Sequence, residues 1–355
     1  MIDSKKKHDI ILADCEPEEL VDLKKGLDQT LDTDFIICSR IANASHTRIY
    51  NLYRYLVYFL YPIIFFINRN KFHYIICWQQ FFALFFCFFC RLFNVKNVNI
   101  VVACNYTYKP KTFFKKFYYS FFKKNSECEY MSVIHVLSDN YAKKCSSNFD
   151  IKENKFIVVP FGLPDTFHQW SLSKVEYVNY SFAIGRSNRD FDFLVNAWKC
   201  LPDSELLVIA SDTYKPKTTL PSNIIHRTDI VGEAQFPYIF NCKAMFIPID
   251  DGSICSGDTV LLKAMSYSKP VVVTSPSTLG EMYIDDNVNG LLVEKNIDEF
   301  ARRVLALFMD SKKMLDIGVN ARRNYENRYS RYQMGVKLGE QIMAPTRSDL
   351  NHKRV

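Results

Sequence analysis

The sequence predicts an α/β protein made of two doubly wound domains, each a parallel sheet covered on both faces by helices. Three observations carry this. Short, continuous apolar runs rich in Val and Ile alternate with helical periodicities along the chain, as strands buried on both faces do. The 355 residues, 48% hydrophobic and 23% charged, suffice for two cores and exclude intrinsic disorder, collagen and a small disulfide scaffold. The periodicity breaks near the middle, at Pro160-Phe-Gly-Leu-Pro-Asp165 and the polar stretch to Asn179, which reads as an interdomain link.

In the first half, Asp9-Ile-Ile-Leu-Ala-Asp14 reads as a buried strand followed by a helix with early acids. Further strands are expected at Phe35 to Cys38, Tyr74 to Trp78, Val98 to Cys104, Ser132 to Leu137 and Phe156 to Pro160. Helices are expected at Arg48 to Ile67 and Gln79 to Phe93. In the second half, strands are expected at Tyr180 to Ile184, Glu205 to Ala210, Ile224 to His226, Ala244 to Ile249, Val271 to Thr274 and Gly290 to Val293. The helices there are Asp190 to Cys200, Thr259 to Ser268 and Ile297 to Met309. The expected domains are 1–165 and 166–330, with 331–355 a helix and tail that packs back on the first.

Charge divides the chain unevenly. No acidic residue falls between Asp34 and Glu127, while 13 Lys and Arg do, so the net +7 of the whole leaves the remainder at −6. The same stretch holds 28 of the 53 aromatic residues. A basic, aromatic block suits an anionic partner or a membrane surface. The longest apolar run, Tyr55 to Ile67, is shorter than the roughly 20 residues a spanning helix needs. Eleven scattered cysteines and an amino terminus unlike a secretory signal lead us to expect a reduced, cytoplasmic protein. Cys87-Phe-Phe-Cys90 has no second pair, so no metal is assigned.

Two loops carry candidate chemistry. Phe182-Ala-Ile-Gly185-Arg186-Ser-Asn-Arg189 ends a strand with two cations ahead of a helix, where fixed guanidinium groups suit a diphosphate. Ser253-Ile-Cys255-Ser256-Gly257-Asp258-Thr259 leads into a helix, and small residues there let backbone N–H groups approach an anion. An ordinary helix cap by Asp258 or Ser256 accounts for the second loop equally well.

The run Leu261-Leu-Lys-Ala-Met-Ser-Tyr-Ser-Lys-Pro-Val-Val-Val-Thr274, with Gly280-Glu-Met-Tyr-Ile-Asp-Asp-Asn-Val-Asn-Gly-Leu-Leu-Val293, resembles the donor-binding domain of GT-B glycosyltransferases, specifically the retaining family 4 group. The resemblance covers roughly Ser132 to Tyr329 and implies two facing Rossmann-like domains with the active site in the cleft between them. It further implies sugar transfer from a nucleotide-diphosphate donor, with retention and without a metal or other cofactor. Arg186 and Arg189 are the implied catalytic residues, and Asp258, near enough in sequence to contact the sugar, is added to them as a carboxylate. The implied donor-binding set is Gly185, Arg186, Arg189, Arg227, Thr228, Ser256, Gly257, Asp258, Thr259, Lys263 and Glu281. The family's pair of glutamates falls here on Cys255 and Lys263, which cannot accept hydroxyl protons as carboxylates do.

On the acceptor side, Trp78, Gln79, Gln80 and Asn105 follow strands and combine a flat ring with amides suited to a sugar. Lys111 to Lys124 interleaves aromatics with lysines, which suits a membrane surface; no nucleic-acid motif accompanies it. The expected partners are a nucleotide sugar, a lipid-linked oligosaccharide acceptor and the anionic inner face of the plasma membrane, in the service of surface polysaccharide synthesis. A nucleotide-sugar 2-epimerase and an inactive donor-binding subunit stand as alternatives, and the sequence leaves the oligomeric state open.

Overall fold

A computed structural model describes residues 7–15, 17–37, 48–96, 98–108, 115–254 and 256–344. The chain forms two compact units, Met1–Pro164 with Arg331–Val355, and Asp165–Ser330.

In the first unit the strands are β1 (His8–Ala13), β2 (Thr33–Ile37), β3 (Phe72–Cys77), β4 (Ile100–Ala103), β5 (Met131–Val136) and β6 (Phe156–Val158). They alternate with α1 (Val21–Leu27), α2 (Arg48–Ile67), α3 (Gln80–Leu92), α4 (Lys115–Glu127) and α5 (Asp139–Phe149). Among the described residues the sheet order is β2-β1-β3-β4-β5-β6, with every pair parallel. The chain reverses direction across the sheet between β1 and β3, and the loops leaving their carboxyl ends therefore diverge there. Helices α2 and α3 have the expected bounds to within a residue or so; the expected strand end Cys38 lies outside the described residues. One face of the sheet is packed by rings from α2, α3 and α4, including Tyr58, Phe82, Phe86 and Phe122. Much of the aromatic excess is thus core, held by edge-on and tilted ring pairs.

The second unit contains α6 (Phe167–Trp170), β7 (Tyr180–Ile184), α7 (Phe191–Trp198), β8 (Leu206–Ala210), β9 (Ile224–Arg227), α8 (Gln235–Asn241) and β10 (Ala244–Ile247). It continues with α9 (Asp258–Ser266), β11 (Val271–Ser275), α10 (Thr278–Tyr283), β12 (Leu291–Glu294), α11 (Ile297–Met309) and α12 (Ser311–Asn324). Its parallel sheet runs β12-β11-β10-β7-β8-β9, so the reversal falls between β7 and β10. Helix α6 interrupts the stretch the sequence suggests is only linker. Trp198 fills the core against Phe246 and donates its indole N–H to Glu205 O at 2.7 Å.

The chain then returns to the first unit as α13 (Arg331–Met343). Met334, Leu338 and Ile342 join Leu20, Leu23 and Leu27 of the first unit in one buried cluster. The three α13 side chains alone contribute roughly 5–9 kcal/mol of gross transfer energy, before the entropy of ordering them. The backbones of α1 and α13 nearly touch: a Cβ on Gly26 would strike Tyr332 O, and one on Gly335 would strike Leu23 O. No helix among the described residues is long and apolar enough to cross a membrane.

Candidate functional site

The loops leaving β7 and β10 meet where the second sheet reverses. Asn188, left-handed at φ 55°, ties them together. Its Nδ2 donates to Asp251 O at 3.1 Å and to Ser256 Oγ at 2.9 Å, and its Oδ1 accepts from Asp251 N at 2.7 Å. Asp190 N donates to Pro248 O at 2.9 Å, and the Asp190 carboxylate caps α7 by accepting from Phe193 N at 2.9 Å. This frame aims Arg189 at the start of α9.

The Arg189 guanidinium donates to backbone carbonyls, Nη1 to Asn188 O at 3.1 Å and to Ser187 O at 3.3 Å, and Nε to Ile184 O at 3.4 Å. Burial pulls its pKa down from 12.5 to about 10, with Asp258 opposing as the nearby negative charge. Gly257, at φ 99°, caps α9, and a Cβ there would collide with Nη2 of Arg189. A Cβ on Gly185 would meet the same side chain. A desolvated cation thus sits beside the amino-terminal end of a nine-residue helix, and the helix dipole adds positive potential to the same spot. Two positive features held together against burial make a place for a multivalent anion.

Gly185, Arg189, Ser256, Gly257 and Asp258 are therefore brought together, with Thr259 exposed in the first turn of α9. Cys255, one of the two positions of the missing glutamates, lies outside the described residues. Other residues singled out from the sequence have partners of their own. Arg186, with its side chain 73% exposed, donates Nε–H to Asp212 Oδ1 at 2.9 Å, forming a fork with that carboxylate at the end of β8. Arg227 at the end of β9 is held by Asp229, Glu176 and the Tyr177 hydroxyl, and these hydrogen bonds raise its pKa. Thr228 beside it is exposed. Lys263 is buried; its ammonium donates to Thr166 Oγ1 at 3.2 Å and lies 4.9 Å from the centre of the Phe236 ring. Glu281 is exposed in the first turn of α10, which Ser277 caps by accepting from Gly280 N.

In the first unit, the carboxyl edge of the sheet gathers polar groups at its own reversal. Asp14, buried just after β1, accepts from the Tyr58 hydroxyl and from Arg54 Nη2 at 3.0 Å. Trp78 follows β3, and its ring is packed by Arg331, whose guanidinium carbon lies 4.8 Å from the ring centre. Gln79 occupies the cap position of α3 without a side-chain cap bond. Gln80 spends its amide on the backbone: Oε1 accepts from Thr107 N at 2.7 Å and Nε2 donates to Thr107 O at 2.8 Å. Its work is to fasten the loop after β4. Asn105 in that loop has φ 52°, its N–H donates to His135 Nδ1 at 3.1 Å, and its buried Oδ1 has no hydrogen-bond partner among the described residues. That open acceptor faces the demand for a donor, which a hydroxyl supplies. His135 is neutral: burial pulls its pKa down to about 4, and Nε2–H donates to Val159 O at 2.8 Å.

Asn188 and Asp14 carry more of this arrangement than the sequence suggests. The signal for Asn188 is its place between two candidate cations, in a residue type that tolerates left-handed backbone.

Two parallel sheets with reversals of this kind, flanked by helices, define the GT-B fold, and solved structures share it. A glycosyltransferase from Rickettsia africae superposes with a TM-score of 0.62 at 12% identity, over 96% of this chain and 100% of that one. HepE of Anabaena, solved with UDP, gives 0.62 at 13% identity, over 94% and 99%. Residues 179–310, within the second unit, match the family of glycosyl transferases group 1. An uncharacterized glycosyltransferase of Methanocaldococcus jannaschii is 26% identical over 167 residues, 45% of this chain. The match spans 47%, about half, of that curated relative.

Proposed function

We propose that the chain is a glycosyltransferase that moves a sugar from a nucleotide-diphosphate donor to a lipid-linked glycan acceptor, retaining the anomeric configuration, in surface polysaccharide synthesis at the inner face of the membrane. The observation that supports this best is Arg189, a largely desolvated cation whose guanidinium, among the described residues, donates to backbone carbonyls and is set beside Gly257 at the start of α9. As the bond between sugar and diphosphate breaks, charge grows on the phosphate oxygens. A fixed guanidinium and helix N–H groups stabilise that charge at no cost in reorganisation. In this reading the transfer needs no metal, because Arg189 supplies the positive charge. Arg186 joins by exchanging Asp212 for phosphate, and Asp258 orients the sugar. The departing diphosphate then takes the proton of the acceptor hydroxyl on the same face.

HepE has been solved with UDP and with UDP-glucose, so uridine-diphosphate sugars are the first donors to try. The test supplies a panel of nucleotide sugars with a polyisoprenyl-diphosphate-linked sugar and follows the product by mass and by the anomeric proton coupling. Transfer with an unchanged anomeric configuration is expected. Conversion of the donor alone to its 2-epimer, or donor binding with no turnover on any lipid-linked acceptor, would refute it.

A further inference from the structure

Helices α2, α3 and α4 enclose an open cavity of about 460 Å³ on the first unit. Among the described residues every side chain lining it is Phe or Tyr, including Tyr55, Phe59, Phe85, Phe88, Phe117 and Phe121. The rings hold one another in place: Phe59 meets Phe85 edge-on at 5.4 Å, and Phe85 meets Phe121 at 4.9 Å. This rigidity comes from core packing, yet the mouth is left to solvent, with Phe117 75% exposed. Beside it, α2 turns Tyr53, Leu56, Leu60, Ile64 and Ile67 outward at helical spacing. Exposed apolar surface of this extent marks an interaction site.

We propose that this cavity binds one hydrocarbon chain of an anionic bilayer lipid, with the outward face of α2 seated in the membrane interface. The lining selects the occupant. Apart from tyrosine hydroxyls its side chains present only ring carbons, so a peptide would bring backbone N–H and C=O groups into a wall that leaves them unpaired. A hydrocarbon chain brings none. At about 30 Å³ per group the cavity holds roughly fifteen groups the size of a water molecule, a long stretch of a single chain. The rim selects the charge. Lys115, Lys116 and Lys124 are exposed on α4, and no carboxylate occurs between residues 35 and 126, so a phosphate headgroup meets these cations along α4, whose closing residue Glu127 is paired with Lys123. The proposal deepens the acceptor half of the proposed function and rests on it for its biological role, while the binding itself stands apart from the donor site.

The test uses the full chain and vesicles of phosphatidylcholine, with and without phosphatidylglycerol, carrying a trace of lipid with a photoactivatable diazirine in mid-chain. After irradiation, mass spectrometry maps the labelled residues. Labelling of Phe85, Phe88 and Phe121 is expected, stronger when phosphatidylglycerol is present. Phe117→Glu, at a position too exposed to hold the fold, should weaken vesicle binding and labelling about tenfold. Joint Lys115→Glu and Lys116→Glu should erase the preference for the anionic lipid. All three changes should leave the thermal shift produced by nucleoside diphosphates unaltered, and Arg189→Met should leave the labelling intact, so failure here is distinct from failure of the donor reading. Labelling confined to the outward residues of α2, labelling of wild type nowhere, or a Phe117→Glu chain that binds as wild type would each overturn the proposal.

Discussion

Replacing Arg189 by methionine should leave the unliganded protein at least as stable as wild type while removing most of its response to a nucleoside diphosphate. The reasoning starts from the guanidinium, whose burial moves its pKa from 12.5 to about 10. At about 1.4 kcal/mol per pKa unit, keeping this group charged costs the folded state about 3 kcal/mol. Methionine preserves much of the apolar stem and removes that cost, but three carbonyls, of Ile184, Ser187 and Asn188, lose their donor, which gives back about 1–2 kcal/mol. The variant should therefore lie between equal to wild type and about 2 kcal/mol more stable, and for a unit of this size each kcal/mol moves the melting temperature by about 2–4 °C. The folded pKa lies below the unfolded one, so the penalty is fully present below about pH 10 and is relieved only as pH climbs from there toward 12.5. The difference between variant and wild type should accordingly be flat between about pH 6 and pH 9. A ligand at a hundred times its Kd adds about 2.7 kcal/mol to wild type. Losing charge-assisted bonds of about 1.5–3 kcal/mol should leave the variant less than half of that shift. Scanning fluorimetry with and without UDP reads both quantities. A variant that melts several degrees lower without ligand, and keeps the full shift with it, would refute a ligand-directed cation at this position.

Three other perturbations follow from the same geometry. Gly257→Ala places a Cβ against Nη2 of Arg189 at a backbone φ of 99°, so it should cost about 1–2 kcal/mol of stability and abolish the UDP shift, both visible in one melting experiment. Asn188→Ala removes the bonds to Asp251 and Ser256 and should weaken UDP binding about tenfold by calorimetry, with limited proteolysis quickening within residues 250–256. His135 is held neutral with a pKa of about 4, below its unfolded value of 6.5, so wild type should lose up to about 3 kcal/mol as pH falls from 6.5 to 4. His135→Asn should shed most of that acid sensitivity in urea titrations at pH 7 and 4.5.

Much of the fold is legible in the sequence because strands buried on both faces leave unbroken apolar runs. Val271-Val-Val and Leu206-Leu-Val-Ile-Ala announce β11 and β8 without any tertiary information. Helices α8 and α12 are harder to see, since aromatics or charges dilute their periodicity. At the site, Gly185, Arg189 and Gly257 stand out because loops at strand ends keep small and cationic residues in recognisable order. What those residues touch is another matter. Arg186 finds Asp212 and Arg227 finds Glu176, partners 26 and 51 positions away, and nothing local encodes such pairings. Asn188 shows the same limit, because its work is done on residues 63 to 68 positions downstream. Trp78 and Gln80 show that limit too: the sequence marks a ring and an amide suited to a sugar, but not that the ring lies against Arg331 and the amide bonds Thr107.

The return of α13 to α1 sets the order in which the protein can be finished on the ribosome. Leu20, Leu23 and Leu27 emerge early, but the helix that covers them begins at Arg331, after the whole second unit. At 5–20 residues per second, the wait from Pro164 to Met343 lasts roughly 10–35 s. During that interval the first unit carries an uncovered apolar face, while the second, an uninterrupted segment from Asp165 to Ser330, is free to close on its own. The nascent chain is most exposed to chaperones and to misassociation in that window, and a stop codon just before Arg331 would prolong it indefinitely.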